Sequence, residues 1–270
     1  MSARPRPGVS GSRGDPFPLV VVGGFAAAFL ALPLVALVLR APWADLGYYL
    51  SSDDVRSAIG LSMVASLGAT ASVIVLGLPL AWLLARADFP GRSLLRGLTT
   101  LPLVLPPVVG GVALLLALGR LGIVGKWLNS GFGFTLFGTP AAVVIAEAFV
   151  AMPFFVLTVE ASLRSMDTRY EDAAASLGAG SWTRFRRVTL PLIAPGLWSG
   201  AVLAWARALG EFGATITFAG NLPGRTQTIP IAVYTQLQKD VDGAIAISLV
   251  LVAVSLVVLV LLRDRWLGPS

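Results

Sequence analysis

Long apolar runs, separated by short polar segments, dominate the chain. An α-helix needs roughly 20 residues to cross about 30 Å of hydrocarbon, because it rises about 1.5 Å per residue. The pattern therefore predicts an all-α integral membrane protein with a single transmembrane domain at residues 17–265. Its six predicted transmembrane helices lie at residues 17–39, 60–85, 97–119, 139–162, 196–218 and 243–262. Residues 1–16, which are rich in Pro, Gly, Ser and Arg, are expected to form a disordered cytoplasmic tail.

The basic residues are distributed unevenly between the predicted loops. With the N-terminus inside, thirteen of the 20 Lys and Arg residues lie in inner segments and six lie in outer ones. Short cytoplasmic loops are enriched in basic residues, so both termini are predicted to face the cytoplasm. The first apolar run is too long for a signal peptide and is followed directly by Arg40, which favours an uncleaved anchor.

Composition narrows the function further. Charged residues make up 13% of the chain, whereas a soluble domain carries roughly 25%, so a soluble enzyme is excluded. The sequence contains no Cys and no His, and it therefore lacks the commonest metal ligands and the commonest general base. We predict no catalytic residue, no metal site and no nucleic-acid partner. The Gly125-Lys126 pair lacks the flanking residues of a phosphate loop, so the chain is expected to bind no ATP itself.

The most informative polar segment lies between the fourth and fifth apolar runs. It is predicted to contain a short helix on the inner membrane face, with Glu171 and Asp172 near its N-terminal end and Gly178 stopping it. Small alanine side chains give this helix a smooth surface that another protein can approach closely. On the residues alone, an ordinary basic loop and a docking element both remain open.

The spacing in this loop resembles the cytoplasmic signature of permease subunits in ATP-binding-cassette importers. That signature reads Glu-Ala-Ala, three residues, Gly, nine residues, Ile, one residue and Leu-Pro. Here Asp172 and its two alanines are followed by Gly178, then by Val188 and Leu190-Pro191 at matching distances. Asp replaces Glu at 172 and Val replaces Ile at 188, and Glu171 could supply the carboxylate instead.

This resemblance implies a type I importer permease (MetI-like) fold with a cytoplasmic coupling loop at residues 164–191. In that family the loop helix couples the permease to the ATPase subunit. The implied ATPase-docking residues are Glu171, Asp172, Ala173, Ala174, Gly178, Ala179, Leu190 and Pro191.

A second set of segments narrows the resemblance. Residues 206–218, the following stretches 221–224 and 226–230, and residues 101–109 are similar to the molybdate permeases of the ModB family. The resemblance implies a non-catalytic subunit of a molybdate importer, working as a homodimer in the bacterial cytoplasmic (inner) membrane and in contact with membrane lipid. The implied partners are an ABC ATPase subunit, which carries ATP and Mg, and an extracytoplasmic molybdate-binding protein. A sulfate, thiosulfate or tungstate permease is the alternative, and a membrane scaffold without transport activity is the alternative from another class.

Three charged residues, Glu147, Arg207 and Glu211, lie deep inside predicted spans. Arg207 and Glu211 are four residues apart, so they can pair on one helix face. The pair either neutralises itself and holds the helix in the bundle, or places Arg207 along the path of a divalent oxyanion. The candidate pathway residues are Arg207, Glu211, Thr215, Thr217, Asn221 and Thr228. No role is assigned to Glu147.

Overall fold

The computed structural model of the chain describes residues 17–266, so the tail predicted at residues 1–16 lies outside them. The described residues form helices and no strand, which confirms the predicted all-α fold class. The α-helices are α1 (Phe17–Leu39), α2 (Leu46–Ser51), α3 (Asp53–Arg86), α4 (Arg92–Val104), α5 (Pro107–Leu118), α6 (Gly125–Phe132), α7 (Pro140–Ser165), α8 (Arg169–Ser176), α9 (Ser181–Arg184), α10 (Leu190–Leu209), α11 (Gly213–Phe218), α12 (Ile229–Leu237) and α13 (Val241–Trp266). A π-helical turn, Phe185–Thr189, joins α9 to α10.

Several of these helices are long and apolar enough to cross a membrane. They are α1, α3, α7 and the stretch Ser181–Leu209, and α5 and α13 contribute shorter apolar segments. Helix α1 belongs to a first compact unit that ends at Ala41. Its 23 residues correspond to about 34 Å of helix rise, and it contains neither acidic nor basic residues in its terminal turns.

The centre of the second compact unit, Pro42–Ser270, is helix α7. Helices α3 and α10 pack against it, and the side chain of Phe155 is fully buried between them. A Cβ atom added to Gly77 of α3 would lie 2.8 Å from the Phe155 ring. Close packing therefore depends on a residue without a side chain at this position.

The third predicted span, residues 97–119, is interrupted. Helix α4 ends at Val104, and α5 begins at Pro107. Leu105 precedes a proline, which disfavours the helical conformation, and its φ and ψ of −65° and 132° are extended. Pro107 then occupies the start of α5, where a missing N–H costs nothing.

The fifth predicted span, residues 196–218, also differs from a continuous helix. Helix α10 begins at Leu190 and ends at Leu209, and a separate short helix, α11, follows at Gly213. The two interrupted regions pack together through glycines. A Cβ on Gly111 would lie 2.8 Å from the Ala214 carbonyl oxygen, and one on Gly213 would lie 3.0 Å from the Pro107 Cβ.

Candidate functional site

Helix α8 is the short helix predicted in the loop after α7. Asp167 stabilises its start: Oδ1 accepts a hydrogen bond of 3.0 Å from the Arg169 backbone N–H, and Oδ2 pairs with the Arg169 guanidinium at 2.7 Å. These contacts with Arg169 hold the pKa of the Asp167 carboxyl below its usual value. The helix stops before Gly178, whose φ of +83° lies in the left-handed region that glycine tolerates.

The predicted docking residues divide into an exposed group and an inward-facing group. Asp172, Ala173, Gly178 and Pro191 are exposed, while Glu171, Ala174, Ala179 and Leu190 are partly buried. The exposed members are accessible to another protein. Among the inward-facing members, Glu171 has side-chain contacts with other helices.

Glu171 provides the most specific attachment. Its Oε1 accepts a hydrogen bond of 2.6 Å from the hydroxyl of Thr189, which is buried at the end of the π-helical turn. Its Oε2 lies 3.3 Å from a guanidinium nitrogen of Arg86, the last residue of α3. One carboxylate therefore links α8 to the ends of two apolar helices, α3 and α10. Sequence reasoning identified Glu171 but not these two partners.

A second ionic cluster joins the C-terminal ends of α3 and α7 to the N-terminal half of α4. The Leu84 carbonyl oxygen lies in the last turn of α3, where helical partners run out and the helix dipole is negative. It accepts hydrogen bonds from three arginine side chains: Arg92 at 2.8 Å, Arg164 at 3.3 Å and Arg96 at 3.4 Å. Glu160, which is buried in α7, pairs with both Arg96 and Arg164.

Arg207 and Glu211 form the pair predicted from their spacing, with 2.7 Å between Arg207 Nη2 and Glu211 Oε2. Glu211 is buried, and its other oxygen accepts a hydrogen bond of 2.9 Å from the Ala214 backbone N–H. It therefore serves both as the counterion of Arg207 and, from the position before the N-cap residue Phe212, as a side-chain acceptor that caps the first turn of α11. Arg207 lies in the last turn of α10, where the helix dipole favours a cation.

The remaining pathway candidates have different surroundings. The Thr217 hydroxyl donates to the Gly213 carbonyl oxygen at 2.8 Å, and Asn221 bonds the side chains of Thr235 and Gln227. The hydroxyls of Thr215 and Thr228 are buried, and neither has a hydrogen-bond partner among the described residues. Within the predicted set, the described part of the chain brings together only Arg207 and Glu211 by direct polar contact.

Glu147, to which the sequence assigned no role, lies in α7 and is buried. Its Oε2 has no hydrogen-bond partner within the described residues. Burying a carboxyl oxygen without a hydrogen-bond partner costs free energy, so Glu147 is expected to lower the stability of the fold.

Comparison with known proteins adds an independent line of information. Residues 73–270 match the family described as binding-protein-dependent transport system inner membrane component. The molybdenum transport system permease protein ModB of Mycobacterium tuberculosis is 46% identical over 230 residues, covering 85% of this chain and 87% of that protein. The sulfate transport system permease protein CysT of Escherichia coli is 37% identical over 239 residues, covering 87% of this chain and 86% of that protein. A bacterial alginate ABC transporter, solved in complex with an alginate pentasaccharide-bound periplasmic protein, has a similar fold, with a TM-score of 0.74 at 18% identity over 90% of both chains.

Proposed function

This chain belongs to the family of binding-protein-dependent transport system inner membrane components, and we propose that it is the permease subunit of an ATP-driven molybdate importer. It is a multi-pass membrane protein with the fold of an importer permease. Identity to a molybdenum permease, 46%, exceeds identity to a sulfate permease, 37%, at similar coverage. Molybdate is therefore favoured over sulfate as the transported ion.

The observation that carries the mechanism is the attachment of the exposed helix α8 to α3 and α10 through Glu171. We infer that an ABC ATPase subunit, which holds ATP and Mg, docks on the exposed side of α8 in the cytoplasm. When ATP binding moves the docked subunit, the contacts of Glu171 with Arg86 and Thr189 carry that motion into α3 and α10. Both termini lie on the same cytoplasmic side in this arrangement.

The interrupted helices support a proposal for the transport path. In the proposed homodimer, a molybdate-binding protein delivers the dianion to the outer face, and the two permease copies alternate between inward-open and outward-open states. Arg207, beside the break between α10 and α11, offers a positive charge to the passing anion. Its pairing with Glu211 weakens that attraction, which suits transport because a deep binding well would trap the ion.

The first experiment measures ATPase activity of the permease–ATPase complex in liposomes. Binding protein loaded with molybdate, tungstate or sulfate is added in turn, with unloaded binding protein as the control. Stimulation by molybdate and tungstate, but not by sulfate, is the expected result. Stimulation by sulfate alone would move the chain to the sulfate permeases, and failure to form a complex with the ATPase would refute the proposal.

The docking surface needs a separate test on the same complex. Asp172→Arg and Ala173→Trp change exposed positions of α8, so they should abolish co-purification of the ATPase while leaving the permease folded. Gly178 is less suitable, because its positive φ strains any larger residue. Gly131→Trp in α6, where an added Cβ meets nothing within 4 Å, is the matched control. If both α8 variants still co-purified with the ATPase, α8 would not be part of the interface.

A further inference from the structure

A cavity of about 860 Å³ lies at the end of α3, between that helix and the segment from α9 to the π-helical turn. Its walls are largely apolar, and it uses Arg86, Glu171 and Thr189 from the coupling contacts described above. The proposed function assigns no ligand to this cavity, so its shape and charge are the guide to what could bind there.

The wall contributed by α3 is a continuous stripe. Ile74, Leu78, Trp82 and Arg86 all line the cavity and are spaced four residues apart, so they lie on one face of the helix. Ile74 and Arg86 are separated by about 18 Å of helix rise. That length is close to one leaflet of a bilayer, whose whole hydrocarbon core is about 30 Å thick. The stripe thus has about the length of one leaflet and ends in a cation, Arg86.

The opposite wall is aromatic. Trp182 and Phe185 are stacked, with ring centroids 5.7 Å apart and an interplanar angle of 27°, and both line the cavity. Tryptophan is enriched at the boundary between hydrocarbon and headgroups. Trp82 and Trp182, which both line the cavity, fit a position at that boundary.

Two cations in the cavity lack sufficient partners. The Nε atoms of Arg86 and Arg184 are buried, and neither has a hydrogen-bond partner within the described residues. Arg86 Nη2 lies 3.3 Å from Glu171 without the geometry of a hydrogen bond, and Arg184 Nη2 donates to the Ser181 hydroxyl at 3.2 Å. Two arginines therefore face one carboxylate in the lining, and buried donors are left unpaired. An anionic oxygen would satisfy them.

We propose that the cavity binds one anionic phospholipid of the inner leaflet. Its phosphate lies between Arg86 and Arg184, and one acyl chain follows the stripe from Trp82 to Ile74. Basic pockets on the cytoplasmic side of membrane helices bind anionic lipid headgroups by the same chemistry. Because the lipid touches both α3 and the segment that carries α8 into α10, its binding stiffens the connection used for coupling.

The test is native mass spectrometry of the detergent-purified permease–ATPase complex after delipidation, with phosphatidylglycerol or phosphatidylcholine added back. The wild-type complex should retain one phosphatidylglycerol per permease at least tenfold more strongly than phosphatidylcholine. Arg184→Gln should remove most of that difference. Arg187→Gln is the matched control, since Arg187 lies three residues further on in the π-helical turn, is exposed and does not line the cavity.

A second pair of variants tests the acyl-chain wall. Ile74→Trp fills the cavity and should reduce lipid retention, whereas Val64→Trp makes the same change at an exposed position of α3 outside the lining. Equal retention of phosphatidylglycerol by wild type, Arg184→Gln and Ile74→Trp would overturn the proposal. Retention of phosphatidylglycerol by the purified permease alone, but not by the permease–ATPase complex, would also overturn it, because a protein would then occupy the cavity in the complex. The measurement needs no molybdate, so it can fail while the transport assay succeeds.

Discussion

Replacing Glu211 tests what holds the interruption between α10 and α11 together. The carboxylate has two partners on opposite oxygens, the Arg207 guanidinium at 2.7 Å and the Ala214 backbone N–H at 2.9 Å. Glu211→Gln keeps an oxygen that can cap α11 but removes the charge that pairs with Arg207. Glu211→Ala removes both. The two variants therefore separate the ion pair from the cap.

The expected losses follow from burial. Hydrogen bonds to charged groups contribute about 1.5–3 kcal/mol, and breaking a fully buried pair costs about 3–5 kcal/mol. The Arg207 side chain is 27% exposed, so water can partly solvate it once it is unpaired, and we expect about 2 kcal/mol for Glu211→Gln. Loss of the cap adds about 1 kcal/mol for Glu211→Ala. At about 2–4 °C per kcal/mol, the Tm should fall by about 4–8 °C and about 6–12 °C respectively.

The assay is thermal unfolding of the purified permease–ATPase complex, combined with molybdate uptake into liposomes. The double variant Arg207→Met, Glu211→Gln removes the stranded cation, so it should recover most of the stability lost in Glu211→Gln. It should nevertheless transport poorly if Arg207 serves the anion path. If the Glu211→Gln complex had the same Tm as the wild-type complex, the energetic argument would be refuted. Wild-type uptake by the double variant would show that the pair is structural only.

Further predictions concern three other sites. Gly111→Val should lower the Tm of the complex by several degrees, because the new side chain meets the backbone of α11, whereas Gly131→Val, which has open space, should change it little. Glu147→Gln should raise the Tm or leave it unchanged while uptake persists, since the amide keeps the shape of this buried side chain and cannot carry a charge, and a clear fall in Tm would contradict that reason. Glu160→Gln should lower the Tm by weakening the pair with Arg96, and a variant as stable as wild type would contradict that reason.

The apolar pattern predicts the helices well where packing agrees with local sequence. Helix α3 extends to Asp53, beyond the predicted start at residue 60, because Ser52 caps it and acidic residues favour its N-terminal end. Pro106 and Pro107 predict the break between α4 and α5. The break after Leu209 contains no proline, and glycine alone is too weak a signal to predict it. This break is accompanied by close packing of α5 against α11. Such a tertiary contact cannot be read from the hydropathy pattern.

The candidate site shows the same division, because its local contacts could be predicted from the sequence and its long-range contacts could not. Spacing alone identifies the Arg207–Glu211 pair, because residues four apart meet on one helix face. Spacing does not identify the partners of Glu171, since Arg86 and Thr189 belong to other helices and their approach depends on tertiary packing. The same limit applies to the cavity, whose two walls come from segments far apart in the sequence.

The last turn of α3 is where these contacts converge. Leu84 receives the arginines of α4 and α7, while Arg86, two residues later, faces the carboxylate of α8. A force on α8 therefore reaches α3 at a point already bound to α4 and α7, so we expect these three helix ends to move together as one body. Helix α8 is joined to the start of α10 through Thr189, the last residue of the π-helical turn. Because such turns are often sites of local adjustment, the relative motion that opens the permease should be concentrated between Phe185 and Thr189.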